Sequence, residues 1–230
     1  MTITVAGRFK SIAVAAGLLF ASAAHADNVP GVYSTGFGPG GAALNAGNGQ
    51  ADANYVLTAT TGPAPTGTQA VTFYNPNYVA DSATSRWISY TADTTKMSYN
   101  ALFTFTTTFD LTGFDAGSAS LSGLLGADNE VTVLLNGTKI GGLYGYTRET
   151  FNHLTTFGTT DGSLFVNGVN RLDVELHNID LIAAVRVDQL VVNASLAGVP
   201  EPATWALMVL GFGAIGGTLR RRHRQVAALA

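Results

Sequence analysis

The chain has 230 residues, 47% of them hydrophobic and only 12% charged, with 27 glycines and no cysteine, a length suited to one domain whose core folds without staples. The missing cysteines exclude disulfides, thiolate metal sites and a cysteine nucleophile together. Between Asp27 and Val199 six basic residues face 14 acids, a net of −8, and a body this acidic, with no basic stripe, excludes a nucleic-acid partner.

The first element in chain order spans residues 1–26. Arg8 and Lys10 give it a basic start, an apolar run follows from Ile12 to Phe20 and on through Ala24, and Ala24-His25-Ala26 precedes Asp27. This is the pattern of a secretory signal peptide, with small residues at Ala24 and Ala26, the positions a signal peptidase must accommodate. A membrane anchor or a core helix is the competing reading. The run is short for a span and is followed by polar, Gly-rich sequence, so the expectation is export with cleavage after Ala26.

Residues 27–198 form the expected body. Its first part, 27–68, is rich in Gly, Thr and Pro, with turns at Gly36-Phe37-Gly38-Pro39 and Thr61-Gly62-Pro63 and one strand near Tyr55–Thr58; it is expected to wrap over a sheet. Period-two patterns follow. Phe103, Phe105, Thr107, Phe109 and Leu111 share one strand face, then Ala119, Leu121, Gly123 and Leu125, then Val131, Val133 and Leu135, then Leu172, Val174 and Leu176, then Val185 and Val187, then Leu190 and Val192. Asn136-Gly137 between two such runs signals a tight hairpin, because both residues tolerate positive φ, and Asn167-Gly168 is read as the same device. No segment of the body sustains a 3.6-residue apolar period. The fold class expected is therefore all-β, an antiparallel jelly-roll-like β-sandwich.

The runs Ser118 to Leu121, Ala127 to Gly137 and Gly168 to Val174 resemble jelly-roll domains of the galactose-binding-like superfamily over roughly residues 85–196. The resemblance implies a sandwich that in many members binds glycans and in many others is only structural, so it assigns no ligand.

Two clusters in the body are candidate sites. Asp128, Asn129 and Glu130 offer oxygen ligands for calcium, with Asp128 and Glu130 able to face the same way; the alternative is a turn at the start of a strand. Tyr144, Tyr146 and His153, with Arg148 and Glu149 between them, could stack on a sugar ring and bond its hydroxyls, or else pack on the rim of the sandwich. Asp173 and Glu175 alternate with Leu172, Val174 and Leu176 and read as the solvated face of a strand. His153 and His177 have no nucleophile elbow, metal-binding helix or P-loop to work with. The expectation is that the protein is not an enzyme and needs no cofactor.

Residues 199–230 are the last element. Val199-Pro200-Glu201-Pro202 is followed by 17 uncharged residues, 203–219, and by Arg220, Arg221, Arg222 and Arg224 in the basic tail 220–230. At about 1.5 Å per residue a helix over 203–219 reaches roughly 25 Å, the short end of a membrane span. Trp205 stands where an interfacial aromatic belongs, and the arginines would stop the chain on the cytoplasmic side. Gly211-x-Gly213-x-x-Gly216 matches a dinucleotide fingerprint in letters only, lacking both the preceding strand and a βαβ unit. Gly213 and Gly217 instead give such a helix a small-xxx-small face for another helix.

The series Pro200-Glu201-Pro202, Trp205 to Met208, Gly211 to Gly217 and the arginines resembles the PEP-CTERM sorting domain. The resemblance implies recognition by an exosortase, a multi-pass membrane protease or transpeptidase of bacteria that make exopolysaccharide. Two prolines deny the backbone helix and ladder hydrogen bonds and hold an extended segment for a processing enzyme, with Glu201 as the polar determinant. The function expected is an exported surface or extracellular-matrix protein, associated with biofilm or exopolysaccharide, held transiently at the inner membrane and processed near the motif. The alternative is a lectin-like module displayed on the cell surface.

Overall fold

The structure, a computed structural model, describes residues 26–145, 149–198 and 202–227. The signal-peptide residue Ala24, the loop residue Tyr146, the motif residues Pro200 and Glu201, and the last residues of the basic tail lie outside the described residues.

Eleven strands are present among the described residues: β1 (Ala26–Asn28), β2 (Ala51–Thr60), β3 (Gln69–Thr72), β4 (Ile88–Ser89), β5 (Ala101–Asp110), β6 (Ser120–Asp128), β7 (Glu130–Leu135), β8 (Thr138–Leu143), β9 (Thr155–Thr159), β10 (Val169–Asn178) and β11 (Ala184–Ser195). A short helix α1 (Glu149–Asn152) precedes β9, and a long one, α2 (Pro202–Ala227), ends the chain. The strands form one sheet in the order β8-β7-β10-β5-β2-β3-β4-β11-β6-β9, with β1 added to β11, and every pairing is antiparallel.

Alternation builds this sheet. On β5, Phe103, Phe105 and Phe109 are buried, and they stand beside Leu172, Val174 and Leu176 of β10, which are fully buried. Each such side chain contributes roughly 1.5–3 kcal/mol on leaving water. The residues between them, Leu102, Thr104 and Thr106 on β5 with Glu175 and His177 on β10, make the outer face. Turn chemistry fixes the register at Asn136 (φ 50°) and Gly137 (φ 85°), which set Leu135 opposite Thr138.

The antiparallel all-β body is the one expected, but its two layers are not separate sheets. Hydrogen bonding runs unbroken around the core, and the two ends of the path, β8 and β9, close on each other. Glycine permits the approach: a Cβ on Gly141 of β8 would stand 2.6 Å from Cβ of Phe157 on β9. The result is close to a barrel.

Three local expectations are corrected. The Gly-rich 27–68 part does not merely wrap over the sheet, because its strand β2 is a ten-residue member between β5 and β3. Asn167-Gly168 is a turn into β10 and not a hairpin, since the strand before it, β9, pairs β6. The Val185/Val187 and Leu190/Val192 patterns belong to one strand. The phase change between them is a bulge at Gln189 (φ 50°), which shifts the register against β6 between Asp188 and Val191.

Helix α2 takes in the expected 203–219 run and continues through the arginines. Among the described residues no helix is long and apolar enough to cross a membrane, which corrects the expectation of a spanning helix. Roughly 25 Å of charge-free helix falls short of a hydrocarbon core of about 30 Å, and Gly211, Gly213, Gly216 and Gly217 dilute its apolar content. Trp205, Leu207, Met208, Val209, Leu210, Phe212 and Ile215 are exposed. So is Arg220, and nothing lies within 4 Å of where a Cβ would stand on Gly213 or Gly217.

Candidate functional site

Two regions carry chemistry that the core does not need. One is a groove on the outer face of the sheet, where β7, β10 and β5 meet the segment after β8. A cavity of about 200 Å³ there is lined by Leu102, Glu130, Val131, Thr132, Tyr144, Glu175 and His177. Strand register assembles it: His177 stands between Glu130 and Leu102, and Glu175 between Thr132 and Thr104.

Tyr144 is 57% exposed, and its hydroxyl lies 2.8 Å from Thr132 Oγ1. Lys139 Nζ sits 4.5 Å from the ring centroid, a cation–π geometry. Lys139 and then Thr132 draw the Tyr144 hydroxyl below the usual tyrosine value. Glu130 accepts from Gly145 N at 3.0 Å through Oε1, and its Oε2 lies 3.4 Å from His177 Nδ1. On the other side of the ring, His177 Nε2 is 3.2 Å from Asn100 Oδ1. Chemically the groove offers an exposed aromatic ring, two carboxylates, an imidazole and one threonine hydroxyl, the set that bonds a polyol.

Of the residues read from sequence as a sugar cluster, Tyr144 is here, while His153 belongs elsewhere. It follows α1, whose Phe151 packs 5.0 Å from Tyr78 against β6 at a different part of the rim. Sequence reasoning missed Glu130, Glu175 and His177 as partners of Tyr144. The signal was present in their alternation with buried residues on β7 and β10, but pairing of those strands is not written in either one.

Asp128 and Glu130 do not converge on a calcium ion. Asp128 accepts from Tyr78 Oη at 2.5 Å and from Asn129 Nδ2 at 2.7 Å, inside an aromatic cluster of Tyr78, Trp87, Phe73 and Phe151, whereas Glu130 turns outward to His177. No group of three His, Cys, Asp or Glu able to hold a metal is present among the described residues. Burial pushes the Asp128 carboxyl up to about 6, and burial followed by the Asp128 charge raises Tyr78 far above its ordinary value. Asp173 also departs from the sequence reading. It is buried and accepts from Thr106 Oγ1 and Arg171 Nε, at 2.5 Å and 2.7 Å.

A second polar cluster locks the long connection before β4. Arg186 of β11, nearly inaccessible to solvent, bonds Asp188 Oδ2 at 2.8 Å, Ser85 Oγ at 2.6 Å and Ala80 O at 2.5 Å. Burial alone would raise Asp188, but Thr84, Arg186 and Ser82 outweigh it and hold the carboxyl low.

The other region is the chain exit. After Ser195 of β11, Leu196 bridges Phe114, and Ala197 N donates to Gly113 O at 2.9 Å. From Gly198 to Arg222 the sequence matches the PEP-CTERM protein-sorting motif. This end of the chain is a sorting motif. The match begins one residue after the last backbone bond to the body among the described residues, and it indicates exosortase-dependent sorting of an exported protein to the surface.

Among solved structures, a cyclase from Fischerella sp. TAU is similar at 14% identity over 76% of this chain and 100% of its own, with a TM-score of 0.43. The CBM36-1 domain of a multidomain xylanase from the hindgut metagenome of Trinervitermes trinervoides is similar at 13% identity over 63% of this chain and 98% of its own, with a TM-score of 0.30. An exo-beta-1,3-galactanase from Phanerochaete chrysosporium is similar at 14% identity over 60% of this chain and 27% of its own, with a TM-score of 0.27. Likenesses at this level assign neither a ligand nor a reaction to this chain. No curated protein matches it.

Proposed function

We propose that the protein is a non-catalytic surface or extracellular-matrix component, exported behind the 1–26 signal peptide, held at the membrane through its C-terminal region, and processed by an exosortase at Pro200-Glu201-Pro202. The observation that carries the reading is the sorting motif placed directly after a fully folded strand. The charged groups buried in the body support a structural rather than a chemical role: Asp188 is matched by Arg186, Asp128 by Tyr78, and Asp52 by amide donors of Gly36, Asn54 and Tyr55.

The test is the C-terminal mass of the protein from its native host, for wild type, Glu201→Ala and a strain lacking the exosortase. Loss of everything beyond the motif only in wild type with the enzyme present supports the reading. A C-terminus at Ala230 in all three removes it.

A second reading, display of a saccharide-binding face, is favoured by the Tyr144 groove, where an exposed ring stands beside Glu130, Glu175, Thr132 and His177. Exopolysaccharide would be the partner. Titration with the host's own polysaccharide, monitored for wild type and Tyr144→Ala, decides it: equal binding by both proteins places the ligand elsewhere.

A further inference from the structure

Both ends of the body leave from one pole. β1 pairs β11 with Ala26 opposite Ser195 and Asn28 opposite Asn193. The antiparallel order brings to the same pole the end of β5 and the start of β10, with Asp110 opposite Val169, the β7–β8 turn, the start of β6, with Ser120 opposite Asn193, and the end of β9. The loops there interlock with the chain exit. Asp115 N donates to Ser195 O at 2.8 Å, Ser195 N to Ser118 Oγ at 2.8 Å, and Ala197 N to Gly113 O at 2.9 Å. Gly162 lies so close to the Gly117 carbonyl that no side chain fits between them.

The exit is thus pinned through Ala197, and α2 begins at Pro202. Five peptide steps separate them, a reach of at most about 18 Å. A folded domain of even 100 residues has a radius of gyration of about 13 Å, so an enzyme that closes on residues 200–202 brings its own surface against this pole. The pole presents exposed apolar side chains at that place, Leu196 at 62% and Val166 at 47% exposure.

We infer that the pole around Leu196 and Val166 is a docking surface for the membrane-embedded sorting protease, whose outward face must carry an apolar patch to receive it. The inference rests on the sorting reading above. Tether length makes the contact obligatory, and the β1–β11 pairing places the start of the body at the same pole as its exit. The body then acts as part of the substrate.

The experiment follows precursor processing in the native host by pulse-chase, using the full chain. Wild type and Leu196→Arg/Val166→Arg are each compared with and without 12 flexible Gly/Ser residues inserted between Ala197 and Gly198, leaving the motif intact. The double variant is expected to keep the thermal midpoint of wild type and to be processed about tenfold more slowly on the native tether. With the insertion it should match the inserted wild type, because the body no longer has to seat. Processing of the double variant at the wild-type rate on the native tether overturns the docking surface alone, as does a slowing that the insertion leaves unchanged. Wild type that is never processed overturns the sorting reading and the docking surface with it.

Discussion

Replacing Asp128 by Asn should stabilise the protein at neutral pH and do so much less in mild acid. Asp128 is 6% exposed and accepts hydrogen bonds from Tyr78 and Asn129. Desolvation lifts its carboxyl from the ordinary 3.8 to about 6, the Tyr78 bond opposes the rise, and the Asp180 carboxylate adds to it. Because the folded-state value lies above the unfolded one, protonation favours the fold. The contribution is fully present below about pH 3.8 and is lost as the pH rises through about 6. A rise of about two pH units at about 1.36 kcal/mol each bounds the swing near 3 kcal/mol, and partial solvent screening reduces it to roughly 2 kcal/mol. In Asp128→Asn the carbonyl still accepts from Asn129, and the amide donates to the Tyr78 oxygen. Urea unfolding of both proteins at pH 4.5 and 7.5 should show the variant ahead by well under half as much at the lower pH, where most of the contribution is still present, as the roughly 2 kcal/mol expected at the higher. A variant-minus-wild-type difference that is the same at both pH values refutes the burial argument.

Arg186→Ala should cost about 3–5 kcal/mol in urea unfolding, because it leaves Asp188 buried and unpaired; a loss under 1 kcal/mol would mean that water replaces the guanidinium. Gly158→Ala should cost roughly 2 kcal/mol or more, since its φ of 148° is closed to other residues and the new methyl would strike the Leu121 carbonyl on β6, with the thermal midpoint as the readout. Gly137→Ala should cost about 1 kcal/mol, because its φ is 85° with open space around it. Tyr144→Ala should leave the thermal midpoint in place, the ring being mostly exposed, and a midpoint that falls by more than a few degrees would make the ring a packing residue.

Much of the sheet was legible because alternation is local: the β5 phenylalanines, the β7 and β10 valines and leucines and the Asn136-Gly137 hairpin each announce themselves within ten residues. The closure was not. Nothing in Gly141 or Phe157 alone says that β8 and β9 meet, and two layers of a sandwich leave the same period-two trace as one sheet bent around a core. The candidate site suffered from the same long-range blindness. Tyr144 was found as an aromatic in a loop, but its neighbours come from strands that pair across the sequence, and His153 was grouped with it by proximity in the chain. Asp173 was misread because alternation places a residue on a face without saying what covers it, here Arg171 and Thr106.

The sorting end reverses that balance. Its letters are local and were read without the fold, yet their position gains meaning from β11. That strand carries Arg186 and Asp188 in its first half, where they hold the 80–86 connection, and Ser195 at its end, where Asp115 and Ser118 bind it. A strand anchored at both ends transmits no slack, so the reach from Ala197 to the start of α2 is bounded by five peptide steps. Loosening the exit should therefore change processing without touching the motif. Ser118→Ala removes the hydroxyl that receives Ser195 N, and it should raise hydrogen exchange at Ser195 and Ala197 while leaving Val187 protected. Equal protection at all three amides in the variant would show that the backbone bonds to Gly113 and Asp115 hold the exit by themselves.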